Sequence, residues 1–234
     1  MSSESQSTWF LRYRTDFIRN YYDTAAEPFE TIKRKIEAEA PPYVPPYSED
    51  GEPPFLEEFD NADTALNVLG QSCVSLLSDT LKLFFEDWSS TVVRFELDDR
   101  ERPILKKEGF VAAYRAALGE IYQTDWSDCP VRFDVIEQVV LARNRSQHGG
   151  SLMTLRVTHD PRTLDRHPRP HFARPEEAKA WTGGDGPWSR YVAPAVSVSR
   201  ASLFSAIDEI EALADWLDAE VHRAWAWVGR QGKA

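Results

Sequence analysis

The sequence predicts a mainly α-helical fold: a helical bundle with a long N-terminal helical extension and a small β-hairpin arm. Three observations carry this reading. Apolar residues recur every three or four positions through most of the 234 residues, the spacing of one helix face. Six prolines crowd a short stretch between two such segments and interrupt the helical pattern there. Two short apolar runs flank a loop rich in Pro, Gly, Arg and His, a pattern that suits paired strands. The chain reads as a single domain. N-terminal helices occupy 8–40, a Pro-rich strap 41–56, a helical core 57–150, a β-arm with its loop 151–199, and a C-terminal helix 200–230.

Each element follows from its residues. Phe10, Tyr13, Phe17 and Tyr21 step along a first helix face from Trp9. Pro28 suits the first turn of a second helix, where its missing N–H costs little; Phe29, Ile32 and Ile36 continue the period. Pro41, Pro42, Pro45, Pro46, Pro53 and Pro54 make the strap extended and polyproline-like. Residues 58–88 form the longest predicted helix, with a wide stripe from Leu66 through Leu69, Cys73, Leu77 and Leu81 to Trp88. Val92, Val93, Phe95 and Leu97 either extend it or form a short strand. Phe110, Tyr114, Leu118 and Ile121 mark a helix over 107–122. Phe133, Ile136, Val139 and Val140 mark another over 132–148, stopped by Gly149-Gly150. Leu152, Leu155 and Val157 predict the first strand of the arm, and Val192–Val198 the second. Ser199 caps a final helix whose seam runs from Leu203 to Val228 and either packs inside or faces a partner.

Composition narrows the function. With 42% apolar residues, the chain can bury a core. No apolar run approaches the ~18 residues needed to span a bilayer. The polar start Met1-Ser-Ser-Glu-Ser-Gln-Ser lacks the basic and apolar regions of a signal peptide. Two cysteines, Cys73 and Cys129, are too few for a disulfide framework or a cysteine zinc site. A reducing cytoplasm is the expected location. The net charge of −11 argues against a general nucleic-acid coat. The charge is uneven, however: residues 41–101 hold 14 acids and 3 bases, while 130–175 hold 8 Arg against 4 acids. The basic segment is either ordinary surface variation or a phosphate-directed patch.

Arg143-Asn144-Arg145-Ser146-Gln147-His148 is the sharpest local signal. It ends a helix, and Asn144 and His148 lie one turn apart on one face. Histidine transfers protons near neutral pH. A guanidinium holds a phosphate and stabilises the charge that grows on it in a transition state. Asn144 can position either. These parts suffice for RNA cleavage through the neighbouring 2′-hydroxyl without a metal. The same residues also suit a solvated helix end, where the dipole favours cations.

A long helix, then a helix ending Val139-Val-Leu-Ala-Arg-Asn-Arg-Ser-Gln-His-Gly149, resembles the HEPN superfamily (higher eukaryotes and prokaryotes nucleotide-binding). The helix carrying Asp79-Thr-Leu-Lys82 looks like the family's earlier helix, and the likeness covers about residues 60–150. The resemblance implies a HEPN-like helical bundle that forms a homodimer, with two copies of the motif facing one cleft. It implies a metal-independent endoribonuclease, as in toxin–antitoxin, phage-defence or RNA-processing systems. Arg143 would stabilise the phosphate, His148 would be the general acid and base, Asn144 would orient them, and Asp79 would support them. A plain exposed acid is the other reading of Asp79. An antitoxin or a nucleotidyltransferase is an implied partner. The branch that the latter modifies carries Tyr two residues after the histidine, where this chain has Gly150. Some members are catalytically silent modules for dimerisation or for binding a nucleotide or partner, which is the alternative function.

His159, His167 and His171 with Asp160 and Asp165 form a second cluster. Its spacing matches no zinc pattern, so no metal or other cofactor is expected. Arg162, Arg166 and Arg169, with Arg145, are the expected RNA contacts. No phosphate-binding P-loop or Gly-x-Ser-x-Gly elbow occurs.

Overall fold

The computed structural model describes residues 4–45, 53–147, 156–183 and 193–231. Among them are nine α-helices and no β-strand. The helices are α1 (Gln6–Glu37), α2 (Leu56–Asp87), α3 (Glu101–Glu108), α4 (Phe110–Tyr122), α5 (Phe133–Gln147), α6 (Pro161–Arg166), α7 (Pro175–Gly183), α8 (Arg200–Ala219) and α9 (Val221–Gln231). No helix is long and apolar enough to cross a membrane among the described residues. The chain forms two compact units, each discontinuous in sequence. The first takes Met1–Phe17, Ser75–Val140 and Phe204–Ala234; the second takes Ile18–Val74 and Leu141–Leu203.

In the first unit, Leu77, Leu81, Phe85 and Trp88 of α2, Leu118 and Ile121 of α4, Ile136 and Val139 of α5, and Ile207, Ile210 and Leu217 of α8 are buried. Phe85 stacks on Tyr114 at 4.8 Å, and Trp126 meets Phe133 edge-on at 5.1 Å. The Tyr122 hydroxyl, buried, donates to the Leu217 carbonyl at 3.2 Å. After α2 the backbone widens into a π-helical turn, Trp88–Val93, that ends in left-handed Arg94. Of the two readings of this stretch, helical extension is therefore the one that describes Val92 and Val93. Gly109, at φ 93°, separates α3 from α4, so the helix expected over 107–122 begins at Phe110, and the short helix α3 before it was not expected. Likewise the final seam is divided between α8 and α9, and its residues Leu203, Ile207, Ile210, Ala214 and Leu217 are buried inside the chain.

The second unit shows the main departure. The expected β-hairpin arm is absent among the described residues. Its first strand falls mostly on residues 151–155, outside them. Where the second was expected, one isolated antiparallel bridge joins Thr158 to Ala195. It has two ladder bonds, His159 N–H to Pro194 O at 3.0 Å and Val196 N–H to Val157 O at 2.7 Å. The reason is local chemistry. Pro194 has no N–H to donate. On the other side Asp160 caps Thr163 N–H at 2.9 Å, and Pro161 occupies the first turn, so the chain leaves as helix α6. Among the described residues the fold is therefore all-α, without the β-arm.

α1 also differs: it runs unbroken through Pro28, so no second helix begins there. Pro28 and Thr24 are both exposed, so water can satisfy the Thr24 carbonyl that the ring leaves without a donor.

α2 lies very close to the chain before α8. A Cβ on Gly70 would stand 2.3 Å from the Val198 carbonyl oxygen and 2.7 Å from Val198 Cβ. Gln71 fixes the same segment by donating from Nε2 to the Val196 carbonyl at 3.2 Å. Gly70→Ala gains up to ~1 kcal/mol of helix propensity but forces backbone apart in a packed core. Its expected net effect is a loss of about 1–3 kcal/mol, read as a lower urea midpoint at unchanged slope. A variant as stable as wild type would show that the two segments are not in contact.

Candidate functional site

The motif helix α5 ends at Gln147; His148, Gly149 and Gly150 lie outside the described residues. The last turn is in the second unit, and its residues have distinct environments. Arg143 is half-buried, and its Nη1 donates to the Asn144 side-chain oxygen at 3.3 Å. Asn144 itself is exposed. Ser146 bonds back to the Ala142 carbonyl at 2.9 Å, a local bond within the helix. The Arg145 guanidinium in the last turn matches the negative end of the helix dipole.

Arg145 points to a different partner. Its Nε donates to the Thr158 carbonyl at 2.8 Å, tying the end of α5 to the chain that leads into α6. The guanidinium expected to touch RNA thus also holds backbone. Arg162 and Arg166 are exposed on α6, four residues apart and so on one face, and Arg169 is exposed just beyond. Buried Thr163 and Leu164 anchor α6 from its other side. Asp79 is exposed on α2 and belongs to the first unit.

The histidine cluster does structural work. His159 is buried, and its Nε2–H donates to the Phe172 carbonyl at 2.9 Å. His171 Nε2 lies 2.8 Å from the Ser202 carbonyl, and His167 is buried. Among the described residues no group of three or more His, Cys, Asp or Glu is placed to hold a metal ion. Cys73 is fully buried, and burial pushes its thiol up to about 11, which makes it a core residue.

One feature of this unit has no local signature in the sequence. Asp63 of α2 accepts from three cations: Lys33 Nζ at 2.7 Å, Arg156 at 3.4 Å, and Arg174. Burial alone would raise its carboxyl, but hydrogen bonds from Lys33 and Arg174 outweigh this and hold it below the ordinary range. The partners lie 30, 93 and 111 residues away, so no spacing rule could have found the cluster.

No protein-family model, curated protein or solved structure matches this chain.

His159 yields a pH prediction. Burial, partly offset by its bond to Phe172, lowers its pKa below the ordinary 6.5. The unfolded chain therefore takes up this proton at higher pH than the folded one does. Stability from the buried neutral ring is present above about 6.5 and is lost as pH falls below it. Thermal melts between about pH 7.5 and pH 5.5 should show a steeper loss for wild type than for His159→Gln. Equal slopes would mean that His159 titrates as it does in water.

Proposed function

We propose that this chain is a metal-independent endoribonuclease of the HEPN type, acting as a homodimer in a reducing cytoplasm. What carries the reading is the last turn of α5. Arg143 there donates to Asn144, so an amide orients the guanidinium, and His148 follows one residue after the helix end. Exposed Arg162, Arg166 and Arg169 supply cations for an RNA backbone.

The chemistry is a transesterification. A base removes the proton from the ribose 2′-hydroxyl, and the 2′-oxygen attacks the adjacent phosphorus. The bond from phosphorus to the 5′-oxygen breaks, an acid protonates that oxygen, and a 2′,3′-cyclic phosphate remains. His148 serves the proton transfers, from one copy or two. Arg143 stabilises the extra negative charge on the phosphorane-like transition state, and Asn144 holds Arg143 in place. Asp79 supports the site through the dimer. A toxin or phage-defence role, with an antitoxin or nucleotidyltransferase beside it, fits such an activity.

A second reading has its own support. The −11 charge and the commitment of Arg145 to the Thr158 carbonyl both favour a silent HEPN-like module that binds a nucleotide or a protein partner.

The test is RNA digestion in EDTA with product-end analysis. Wild type should release cyclic-phosphate ends, and His148→Ala or Arg143→Ala should lower the rate by about 100-fold or more. RNA left intact at about pH 6 and pH 8, or His148→Ala with full activity, would overturn the enzyme reading in favour of the silent module.

A further inference from the structure

Two residues in the first unit run against what their backbone favours. Arg94, which ends the π-helical turn, stands at φ 58° and ψ 56°. Side chains are disfavoured in that left-handed conformation, and glycine takes it freely. Gly229 lies within α9 and outside the positive-φ region. A Cβ there would meet no atom within 4 Å. Glycine weakens a helix, and no close approach calls for it here. Stability alone would favour the reverse: glycine at 94 and a side chain at 229.

Both residues line one groove of about 930 Å³, where the π-helical turn meets α9 within the first unit. Small-molecule sites span ~300–1,000 Å³. Val92, Val221 and Val228 give the groove apolar walls. Trp225 adds an indole that is 60% exposed and packs on no other ring among the described residues. π-Helical turns are rare and gather at functional sites.

We propose that this groove binds a small aromatic monocarboxylate, with its ring on Trp225 and its carboxylate on Arg94. Charge selects this class. Of the charged side chains that line the groove, Glu4 is paired with Arg12 at 2.9 Å. Asp218 accepts from the Ser5 N–H at 3.2 Å, and His222 lies 3.9 Å from Glu220. Arg94 is exposed, and its guanidinium makes no hydrogen bond or ion pair among the described residues. What is left to satisfy is a single positive charge, and a planar guanidinium matches a carboxylate with two parallel bonds. A nucleoside phosphate brings a second negative charge towards Glu4 and Asp218, in a chain of net charge −11, and is disfavoured.

The apolar walls and the open indole face take the uncharged body of the ligand. The two unfavoured identities then share one reason. Arg94 sets a cation at the groove, and Gly229 keeps the groove open, each against stability. The site is independent of the ribonuclease reading: Arg143 belongs to the second unit, and the groove contains none of the residues assigned to RNA cleavage.

Equilibrium dialysis of the full chain against naphthylacetate, its uncharged amide and acetate tests the assignment, with thermal melts alongside. Naphthylacetate should bind at one site per chain, the amide about 10-fold or more weakly, and acetate not at all. Arg94→Gly and Arg94→Gln should each weaken naphthylacetate by about 10-fold or more and leave the amide unchanged. Trp225→Ala should weaken both. Without ligand, Arg94→Gly should melt above wild type, because glycine suits the left-handed position. Gly229→Leu should melt at or above wild type and lose binding, since its side chain takes up groove space. Absence of naphthylacetate binding at about 1 mM overturns the proposal. So does undiminished binding by Arg94→Gln, or an Arg94→Gly chain that melts below wild type. A nucleoside monophosphate that binds more tightly than naphthylacetate overturns it too. If wild type binds naphthylacetate as expected but cleaves no RNA, the site stands and the ribonuclease reading falls.

Discussion

The second unit depends on one carboxylate. Asp63 gathers a lysine from α1, an arginine from the chain before Thr158 and another from the start of α7. A single acid facing three cations leaves a local positive excess, so the cluster holds only while Asp63 stays ionised. Its hydrogen bonds keep it so, against the pull of burial. The effect is mechanical as well as electrostatic: Arg156 and Arg174, on either side of α6, are held against α2, and Lys33 brings α1 to the same carboxylate. Removing the acid would leave three partly exposed cations without their shared carboxylate, side by side and repelling one another.

That pinning gives meaning to the end of α5. Arg145 reaches the Thr158 carbonyl, His159 reaches the Phe172 carbonyl, and Asp160 caps α6. These bonds hold the chain that leads into α6 on well-defined partners, and the exposed arginines of α6 ride on it. Arg143 and Asn144 then stand near the end of a helix whose Arg145 is bonded to the Thr158 carbonyl. An active centre needs its groups held within a fraction of an ångström, and tethering of this kind is what a helix end by itself lacks. The histidines that looked like possible ligands are part of the tether.

Much of this was legible from residue spacing, and the failures have physical causes. α5 was expected over 132–148 and spans Phe133–Gln147 as described, because its apolar period is regular throughout. The β-arm was misread because Val-rich runs signal strands only where the backbone can keep donating, and Pro194 and the Asp160-Pro161 cap end the ladder after two bonds. α1 shows what spacing leaves open. Periodicity reveals that a face is apolar, but not which of two apolar faces the fold covers. Leu11, Thr15 and Ile18 are compact and pack closely, whereas the larger rings at Phe10, Tyr13 and Phe17 were left outside. The Asp63 cluster had no signal at all, since its members meet only after the chain folds.

The exposed rings also bear on Asp79. Motif likeness gave this residue a place in the chemistry, yet in the first unit it sits on the exposed strip of α2, with leucines before and after it. An acid in such a strip cannot be there for packing. It lowers the tendency of a bare apolar patch to bind any other apolar surface, and it admits only a partner that brings a cation to the same point. The chain's charge of −11 works in the same direction, because it repels indiscriminate self-association at a distance. A contact that must overcome this repulsion needs matched charges as well as apolar area. On this argument the exposed position of Asp79 bears on which surfaces this strip of α2 accepts.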